Sequence, residues 1–131
     1  MCIFCKIVAG EIPSYKIYED KNTFAFLDIK PINPGHVLVV SKKHYQNIEE
    51  ITEDDLRDLI LVVKKIGAIL KTKLGVAGYN VYENNDPVAG QAVPHIHFHV
   101  IPRTENDGFK YWQGGSYSLG QADDLVRKLS F

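Results

Sequence analysis

The chain has 131 residues, enough for one domain, and we interpret residues 1–131 as a single unit. Its 15 Lys+Arg, 16 Asp+Glu and formal net charge of -1 argue against a nucleic-acid-binding surface. Hydrophobic residues make up 45%, as in ordinary folded domains, and the longest purely apolar run, Leu59–Val63, is far below the roughly 18 residues that indicate a membrane span.

The chain begins with the motif Cys2-x-x-Cys5, which contains both of its cysteines. Three interpretations remain open: half of a zinc site, a redox dithiol, or two packed thiols. A redox pair would follow a strand and open a helix, whereas this pair precedes every predicted strand, so the redox interpretation is the weakest. The same N-terminal residues lack a basic stretch followed by an apolar region, which predicts a cytoplasmic location.

The first third of the chain predicts one short helix and three strands. The helix covers Ile3–Ala9 and is ended by Gly10, with Pro13 beyond it. The strands cover Tyr15–Glu19, Thr23–Asp28 and the β-branched run His36–Ser41.

A long helix is predicted from Thr52 to Leu74. Thr52 suits the N-cap, acidic residues follow in the first turn where the helix dipole favours them, and Gly75 suits the stop. Apolar residues recur at helical spacing, and we interpret them as a core-facing stripe: Leu56, Leu59, Ile60, Val63, Ile66 and Leu70.

The second half predicts a strand over Gly78–Glu83, a loop over Asn84–Pro94, a strand over His95–Ile101 closed by Pro102, and a short helix within Gln121–Phe131. The order of elements predicts an α+β fold. We expect an antiparallel meander sheet with one long helix and short terminal helices.

The strand His95–Ile101 carries three imidazoles. Because side chains alternate along a strand, His95, His97 and His99 share one face, and burying three imidazoles together is costly without partners. The outer two lie about 13 Å apart, so one zinc ion cannot bind all three. We favour chemistry at phosphorus, with one neutral imidazole attacking and another donating a proton to the leaving group.

The loop before this strand offers groups that could bind a phosphate. Asn84 and Gln91 carry amides, and Gly90 allows the backbone to approach a ligand closely.

The sequence resembles the histidine triad (HIT) family, whose signature is His-φ-His-φ-His-φ-φ with φ apolar; His95–Ile101 matches it in full. Further matching segments between Ile3 and about Arg103 include Phe26–Ile29, Pro34–His36 and Ala89–Gln91. The branch resembled contains small nucleoside phosphoramidases and dinucleoside polyphosphate hydrolases. The resemblance implies a two-fold homodimer in which the long helix and a strand pair across the axis, with Ile60 and Val63 partly at the interface.

The resemblance also implies roles for individual residues. His97 is the expected nucleophile that forms a covalent nucleotidyl-histidine, His99 lies near the leaving group, and His95 supports the site. Asp28 is expected to hold the ribose, and Asn84, Gly90 and Gln91 the phosphate. The expected apolar pocket for the base consists of Ile3, Phe4, Ile7, Phe26 and Ile29. Ala92 departs from the pattern, because many relatives carry Ser or Thr there.

Some prokaryotic relatives bind zinc through an N-terminal C-x-x-C, a His after the third strand and the first triad His. The corresponding residues here are Cys2, Cys5, His44 and His95. Four such ligands close a tetrahedral site, so we expect one structural zinc per chain.

The sequence therefore predicts a hydrolase or nucleotidyl transferase that cleaves purine nucleotide conjugates, phosphoramidates or dinucleoside polyphosphates, at the α-phosphate. One alternative is a nucleotide-binding regulatory module with weak or no catalysis, which Ala92 favours. A cupin-like metalloenzyme is a weaker alternative, since no suitable downstream Glu is present. The expected partners are a purine nucleotide conjugate and a second copy of the chain, without nucleic acid or membrane.

Overall fold

Five strands and three α-helices occur in residues 2–131, the part of the chain that this computed structural model describes. In chain order they are α1 (Ile3–Val8), β1 (Lys16–Glu19), β2 (Thr23–Leu27), β3 (Val37–Ser41), α2 (Glu53–Leu74), β4 (Gly78–Glu83), β5 (His97–Arg103) and α3 (Gln121–Leu129), with a 3₁₀ turn at Pro87–Ala89. The predicted α+β class with one long helix and short terminal helices is confirmed.

All five strands form one antiparallel sheet in the order β1-β2-β3-β5-β4. A simple meander would place β4 beside β3, so the predicted strand order is corrected at this point. The 22 residues of α2 extend about 33 Å at a rise of 1.5 Å per residue and carry the chain to the far edge of the sheet. β5 then fills the gap between β3 and β4, which makes the histidine strand a central one.

The ends of α2 agree with the sequence prediction. The Thr52 hydroxyl accepts a hydrogen bond from the Asp55 N–H at 3.3 Å, and Gly75 adopts a left-handed conformation with φ 70. The buried residues of the helix are Leu59, Val62, Val63, Ile66, Gly67 and Leu70. Ile60 is 43% exposed, contrary to the predicted stripe, because it lies about 100° around the helix from Leu59. No helix within residues 2–131 is long and apolar enough to cross a bilayer.

The two faces of the sheet have different roles. One face packs against α2 through residues such as Ala25, Val39 and Val100. The opposite face, with Phe26 and Leu38, packs against α1. Since side chains alternate along each strand, the register puts His97 opposite Val40 and His99 opposite Leu38 on the α1 face.

The histidine strand begins two residues later than predicted. The His95 N–H donates to the Val93 carbonyl and the Ile96 N–H to the Tyr45 carbonyl, each at 2.8 Å, so the pairing with β3 begins only at His97. The strand also continues past the predicted end, because Pro102 pairs with Tyr79. The other element boundaries agree with the predictions to within about two residues.

Candidate active site

His97 lies on the central strand and is held in one tautomer. Its Nδ1–H donates to the carbonyl oxygen of His95 at 2.7 Å, and a carbonyl can only accept, so the proton is on Nδ1 and the lone pair on Nε2. Burial lowers the pKa of His97 below its ordinary value, although this hydrogen bond and the charge of Asp28 oppose the shift. His97 is therefore a neutral imidazole with a free lone pair, as a nucleophile requires.

His99 is held in the opposite tautomer by His36. The Ile32 N–H donates to His36 Nδ1 at 3.2 Å, which places the proton of His36 on Nε2, and this N–H donates to His99 Nδ1 at 2.9 Å. The proton of His99 is then on Nε2. Burial, with smaller contributions from His97 and His36, lowers the pKa of His99 to about 4. At neutral pH His99 is an uncharged N–H donor beside His97, with 5.0 Å between the two ring centres.

No role was predicted for His36 from the sequence. It lies two residues before Leu38 and therefore shares the face of His99, which is the signal that could have identified it. Asp28, His36 and His99 also place possible metal-ligand atoms within 4.8 Å of one another. However, His36 Nε2 carries a proton because the Ile32 N–H faces Nδ1, so it has no lone pair for a metal. We interpret this cluster as a hydrogen-bond relay.

Aromatic rings enclose the two imidazoles. Phe4 of α1 contacts His97 edge-on, with 5.1 Å between ring centres, and Phe4 in turn contacts Phe26 at 5.5 Å. On the other side, Tyr82 of β4 lies nearly parallel to His99 at 4.8 Å and 30°. Apolar surface therefore borders His97 on the α1 side and His99 on the β4 side.

The five residues predicted to surround a base are only partly brought together. Phe4, Ile7 and Phe26 belong to one buried cluster beneath α1. Ile3 is 47% exposed and Ile29 is 80% exposed, because Ile29 follows the end of β2 and leaves the sheet. The first three residues could form the floor of a slot that Ile3 and Ile29 flank.

The side chain of Gln91 is hydrogen-bonded to the backbone of its own loop and of residue Gln46. Its side-chain oxygen accepts from the Asp86 N–H at 2.8 Å, and its side-chain nitrogen donates to the Gln46 carbonyl at 2.6 Å. Both ends of the amide have protein partners, and one of the two side-chain N–H groups is left for a ligand, so the phosphate contact of Gln91 stays a prediction.

Asn84 and Gly90 are better placed for a ligand contact. Both line a cavity of about 700 Å³ beside Tyr82, and among residues 2–131 the Asn84 side chain makes only a long 3.4 Å hydrogen bond, to the Gly90 carbonyl. Gly90 has φ 94, which other residues rarely adopt. The amide of Asn84 and the backbone of Gly90 thus remain available to a substrate.

A second cluster lies on the other side of the triad. His95 Nδ1 is 3.4 Å from Cys2 Sγ, 3.6 Å from Cys5 Sγ and 3.2 Å from His44 Nδ1. The His95 Nε2–H donates to the Ser41 carbonyl at 2.8 Å, so the lone pair of Nδ1 faces the cluster. Neighbouring ligands of a tetrahedral zinc lie about 3.3–3.8 Å apart, given bonds of about 2.0–2.3 Å. The four residues fit a metal ion and could hold one.

The sequence matches the HIT domain family over residues 9–106. It is 57% identical over 108 residues to an uncharacterised HIT-like protein of Methanocaldococcus jannaschii, covering 82% of this chain and 83% of the relative. It is 48% identical over 109 residues to a Candida albicans protein named adenosine 5′-monophosphoramidase, covering 79% of this chain and 71% of the relative.

Solved structures show the same fold. A HIT family protein from Bacillus subtilis superposes with a TM-score of 0.91 at 38% identity, covering 98% of this chain and 94% of its own. A zinc-bound histidine triad family protein from Mycobacterium smegmatis superposes with a TM-score of 0.78 at 34% identity, covering 88% of this chain and 84% of its own.

Proposed function

Because this chain belongs to the HIT domain family, we propose that it is a nucleotide hydrolase or nucleotidyl transferase that cleaves purine nucleotide conjugates at the α-phosphate. Phosphoramidates and dinucleoside polyphosphates are the proposed substrates, and the similarity to the Candida albicans phosphoramidase favours the former. The central observation is the pair of complementary tautomers: His97 presents a lone pair and His99 presents an N–H donor.

In the proposed first step, Nε2 of His97 attacks the α-phosphorus and the bond from phosphorus to the leaving group breaks. A leaving amine takes the proton of the His99 Nε2–H, which His99 regains from solvent, whereas a leaving nucleotide departs as its anion with that N–H hydrogen-bonded to the leaving oxygen. In the second step, water attacks the nucleotidyl-histidine. The water gives up a proton to solvent, the bond from phosphorus to Nε2 breaks, the electron pair returns to His97, and the nucleoside monophosphate is released.

Asp28 is the proposed ribose ligand. It lies beside His36 on the α1 face of the sheet, with 3.7 Å between its carboxylate and the His36 ring nitrogen. The cluster of Phe4, Ile7 and Phe26 would hold the base. Asn84 and the Gly90 backbone would contact the phosphate.

The decisive experiment uses a conjugate labelled at the α-phosphorus. Rapid quenching in base, followed by mass spectrometry, should find the nucleotidyl group on His97. His97→Ala should abolish both adduct and turnover while nucleotide binding persists, because the side chain makes no ladder hydrogen bond. Tyr82→Phe, which keeps the ring beside His99, is the matched control and should retain the adduct. Retained turnover in His97→Ala would refute the mechanism.

The alternative is a nucleotide-binding module with weak catalysis. It is favoured by Ala92, which lacks the hydroxyl that a Ser or Thr would offer near the phosphate. Tight nucleotide binding without any detectable adduct would support this alternative.

We propose further that Cys2, Cys5, His44 and His95 bind one structural zinc per chain. The separations of the ligand atoms and the free lone pair of His95 support this proposal, as does the similarity to the zinc-bound mycobacterial protein. When bound, the metal would fasten α1 to the sheet, and four protein ligands would leave no position for a reacting water. Metal analysis of protein purified without chelators should find about one zinc per chain, and Cys2→Ser/Cys5→Ser should abolish it. A content well below one in the unmodified protein would contradict the proposal.

We also propose that the chain forms a homodimer and is located in the cytoplasm. Ile60 on α2 and Val81 on the edge strand are 43% and 42% exposed, which fits an interface formed by these elements. Val63 is buried in its own chain and would contribute little. Sedimentation should show twice the chain mass, and Ile60→Asp should reduce it.

A further inference from the structure

The cysteine pair Cys2-x-x-Cys5 has a second chemistry besides metal binding. In the proposed zinc site both sulfurs are ligands of the ion, and a thiol that coordinates a metal is deprotonated. The thiolate is also the form of cysteine that attacks oxidants. A structural ion would therefore keep both sulfurs nucleophilic, and the metal and redox interpretations of this motif are compatible.

The cluster of Cys2, Cys5, His44 and His95 is buried on one side and accessible on the other. His95 is 0% exposed, whereas His44 is exposed and both cysteines are half-buried. Cys2 and His44 line a cavity of about 480 Å³ that opens to solvent. A small neutral oxidant can therefore reach the Cys2 sulfur without displacing any part of the sheet.

The two sulfurs are placed so that a disulfide can form once no ion separates them. They lie within 4.8 Å of each other, and the Lys6 N–H donates to the Cys2 carbonyl at 3.2 Å, which closes the first turn of α1. Residues three apart in such a turn have Cα atoms about 5 Å apart, inside the roughly 4.4–6.8 Å that disulfides span. Two sulfurs bound to one zinc lie about 3.8 Å apart, against about 2.05 Å in a disulfide, so oxidation and metal binding exclude each other.

The segment between the two sulfurs borders the candidate active site. Phe4 lies inside the motif and contacts His97, with 5.1 Å between ring centres, and it belongs to the buried cluster beneath α1. α1 has only six residues, too few for a helix that is stable without tertiary contacts. Its position therefore depends on this packing and on the links that an ion would make from both cysteines to His44 and His95.

We propose that Cys2 and Cys5 are a site of reversible oxidation, at which hydrogen peroxide converts the zinc-bound pair to a disulfide, releases the ion and removes the metal links between α1 and the sheet. The inference rests on the proposed zinc site and does not depend on the proposed chemistry at phosphorus.

The oxidation has two balanced steps. The Cys2 thiolate attacks one oxygen of the peroxide, the O–O bond breaks, and hydroxide leaves while a sulfenic acid forms on Cys2. The Cys5 thiolate then attacks that sulfur, a second hydroxide leaves, and the S–S bond forms. The two sulfurs lose two electrons to the peroxide, whose oxygens end as water after taking two protons from solvent. His44 and His95 are then the only remaining ligands, fewer than the three or four that hold zinc in proteins, so the ion is released.

The test treats full-length protein, purified without chelators and analysed for zinc beforehand, with hydrogen peroxide. A zinc-binding dye should report the release of about one ion per chain, and the intact mass of a single chain should fall by two hydrogen atoms, which assigns the disulfide because the chain has no other cysteine. Dithiothreitol with added zinc should reverse both changes. Oxidised thiols with the zinc retained, cysteines that gain oxygen without a disulfide, or a disulfide between two chains would each overturn the proposal. Protein without zinc before treatment would instead refute the metal site itself, and with it the release of an ion.

Hydrogen–deuterium exchange gives a second readout, which reports the links between α1 and the sheet. Exchange over residues 3–8 should be about tenfold faster in the oxidised than in the zinc-loaded protein, whereas exchange over residues 97–103 should not change. Cys2→Ser/Cys5→Ser is the matched control, and its α1 should exchange equally fast before and after peroxide. Unchanged exchange of α1 in the oxidised wild-type protein would show that the pair does not control this helix, contrary to the proposal.

Discussion

Two substitutions of His36 test separately the hydrogen bond that it accepts from Ile32 and the one that it donates to His99. His36 accepts at Nδ1 and donates from Nε2. The amide of Asn reaches only the position of Nδ1, so His36→Asn should keep the acceptor for the Ile32 N–H and lose the donor to His99. The amide of Gln reaches the position of Nε2, so His36→Gln should keep the donor and lose the acceptor.

The magnitude follows from what each substitution leaves unpaired. His36 is 2% exposed, and a buried group without its partner costs about 1–3 kcal/mol. Both variants should therefore lose similar stability. Only His36→Asn also frees His99 to move its proton to Nδ1, which would turn a lone pair towards the leaving group. A loss of about 1.4–2.7 kcal/mol in the transition state corresponds to a kcat about 10–100-fold lower.

The assay compares kcat for an alkylamine phosphoramidate, whose leaving group is poor, with kcat for a nitrophenyl ester, whose leaving group needs little help. We expect the 10–100-fold loss for His36→Asn on the first substrate, a smaller loss on the second, and a change below about fivefold for His36→Gln. Nitrogen-15 NMR should report the tautomer of His99 directly. The relay does not orient His99 if Asn and Gln at position 36 reduce kcat equally, or if His99 keeps its proton on Nε2 in His36→Asn.

Three further measurements test other parts of the structure. His99 should titrate with a pKa of about 4, measured by NMR. Because the pKa of His99 is lower in the folded than in the unfolded state, the unfolded state binds more protons, and His99 should reduce stability as the pH falls from about 6.5 towards 4. An equal pH dependence of stability in His99→Gln would contradict this. Gly67→Ala would place a Cβ against the Tyr79 ring. The overpacking should cost about 1–3 kcal/mol, more than the gain of about 1 kcal/mol in helix propensity, so the variant should be less stable. A variant that is more stable in urea unfolding would refute this prediction. Ala92→Ser should add a donor near the phosphate and raise kcat/KM a few-fold, whereas an unchanged kcat/KM would show that position 92 does not contact it.

The features that local chemistry determines were predictable from the sequence. α2 begins after Thr52 and ends before Gly75 because a capping hydroxyl and a left-handed glycine are properties of single residues. The shared face of His97 and His99 follows from alternation alone. The four Cys and His residues were chosen on the basis of a family resemblance, and the fold does bring their ligand atoms together.

Features that depend on partners distant in sequence were not predictable. Alternation predicts that His95 shares a strand face with His97, but its ring donates to the Ser41 carbonyl, 54 residues away along the chain, and its backbone lies outside the strand pairing. Gln91 has the chemistry of a phosphate ligand, yet Asp86 and Gln46 occupy both ends of its amide. The role of His36 depends on which nitrogen the Ile32 N–H faces, and sequence patterns contain no information on that.

His95 connects the two clusters through a single residue. Its ring nitrogen faces Cys2 and His44, while its backbone carbonyl holds the proton of His97. An ion bound by Cys2, Cys5, His44 and His95 would fix that carbonyl without contacting the substrate. Chelator treatment would then inactivate the protein slowly, at the rate at which the N-terminal segment loosens, and adding a metal with different Lewis acidity would restore the same kcat. A survey that classifies enzymes by chelator sensitivity would count this protein among the metalloenzymes, although its proposed chemistry uses only the imidazoles of His97 and His99.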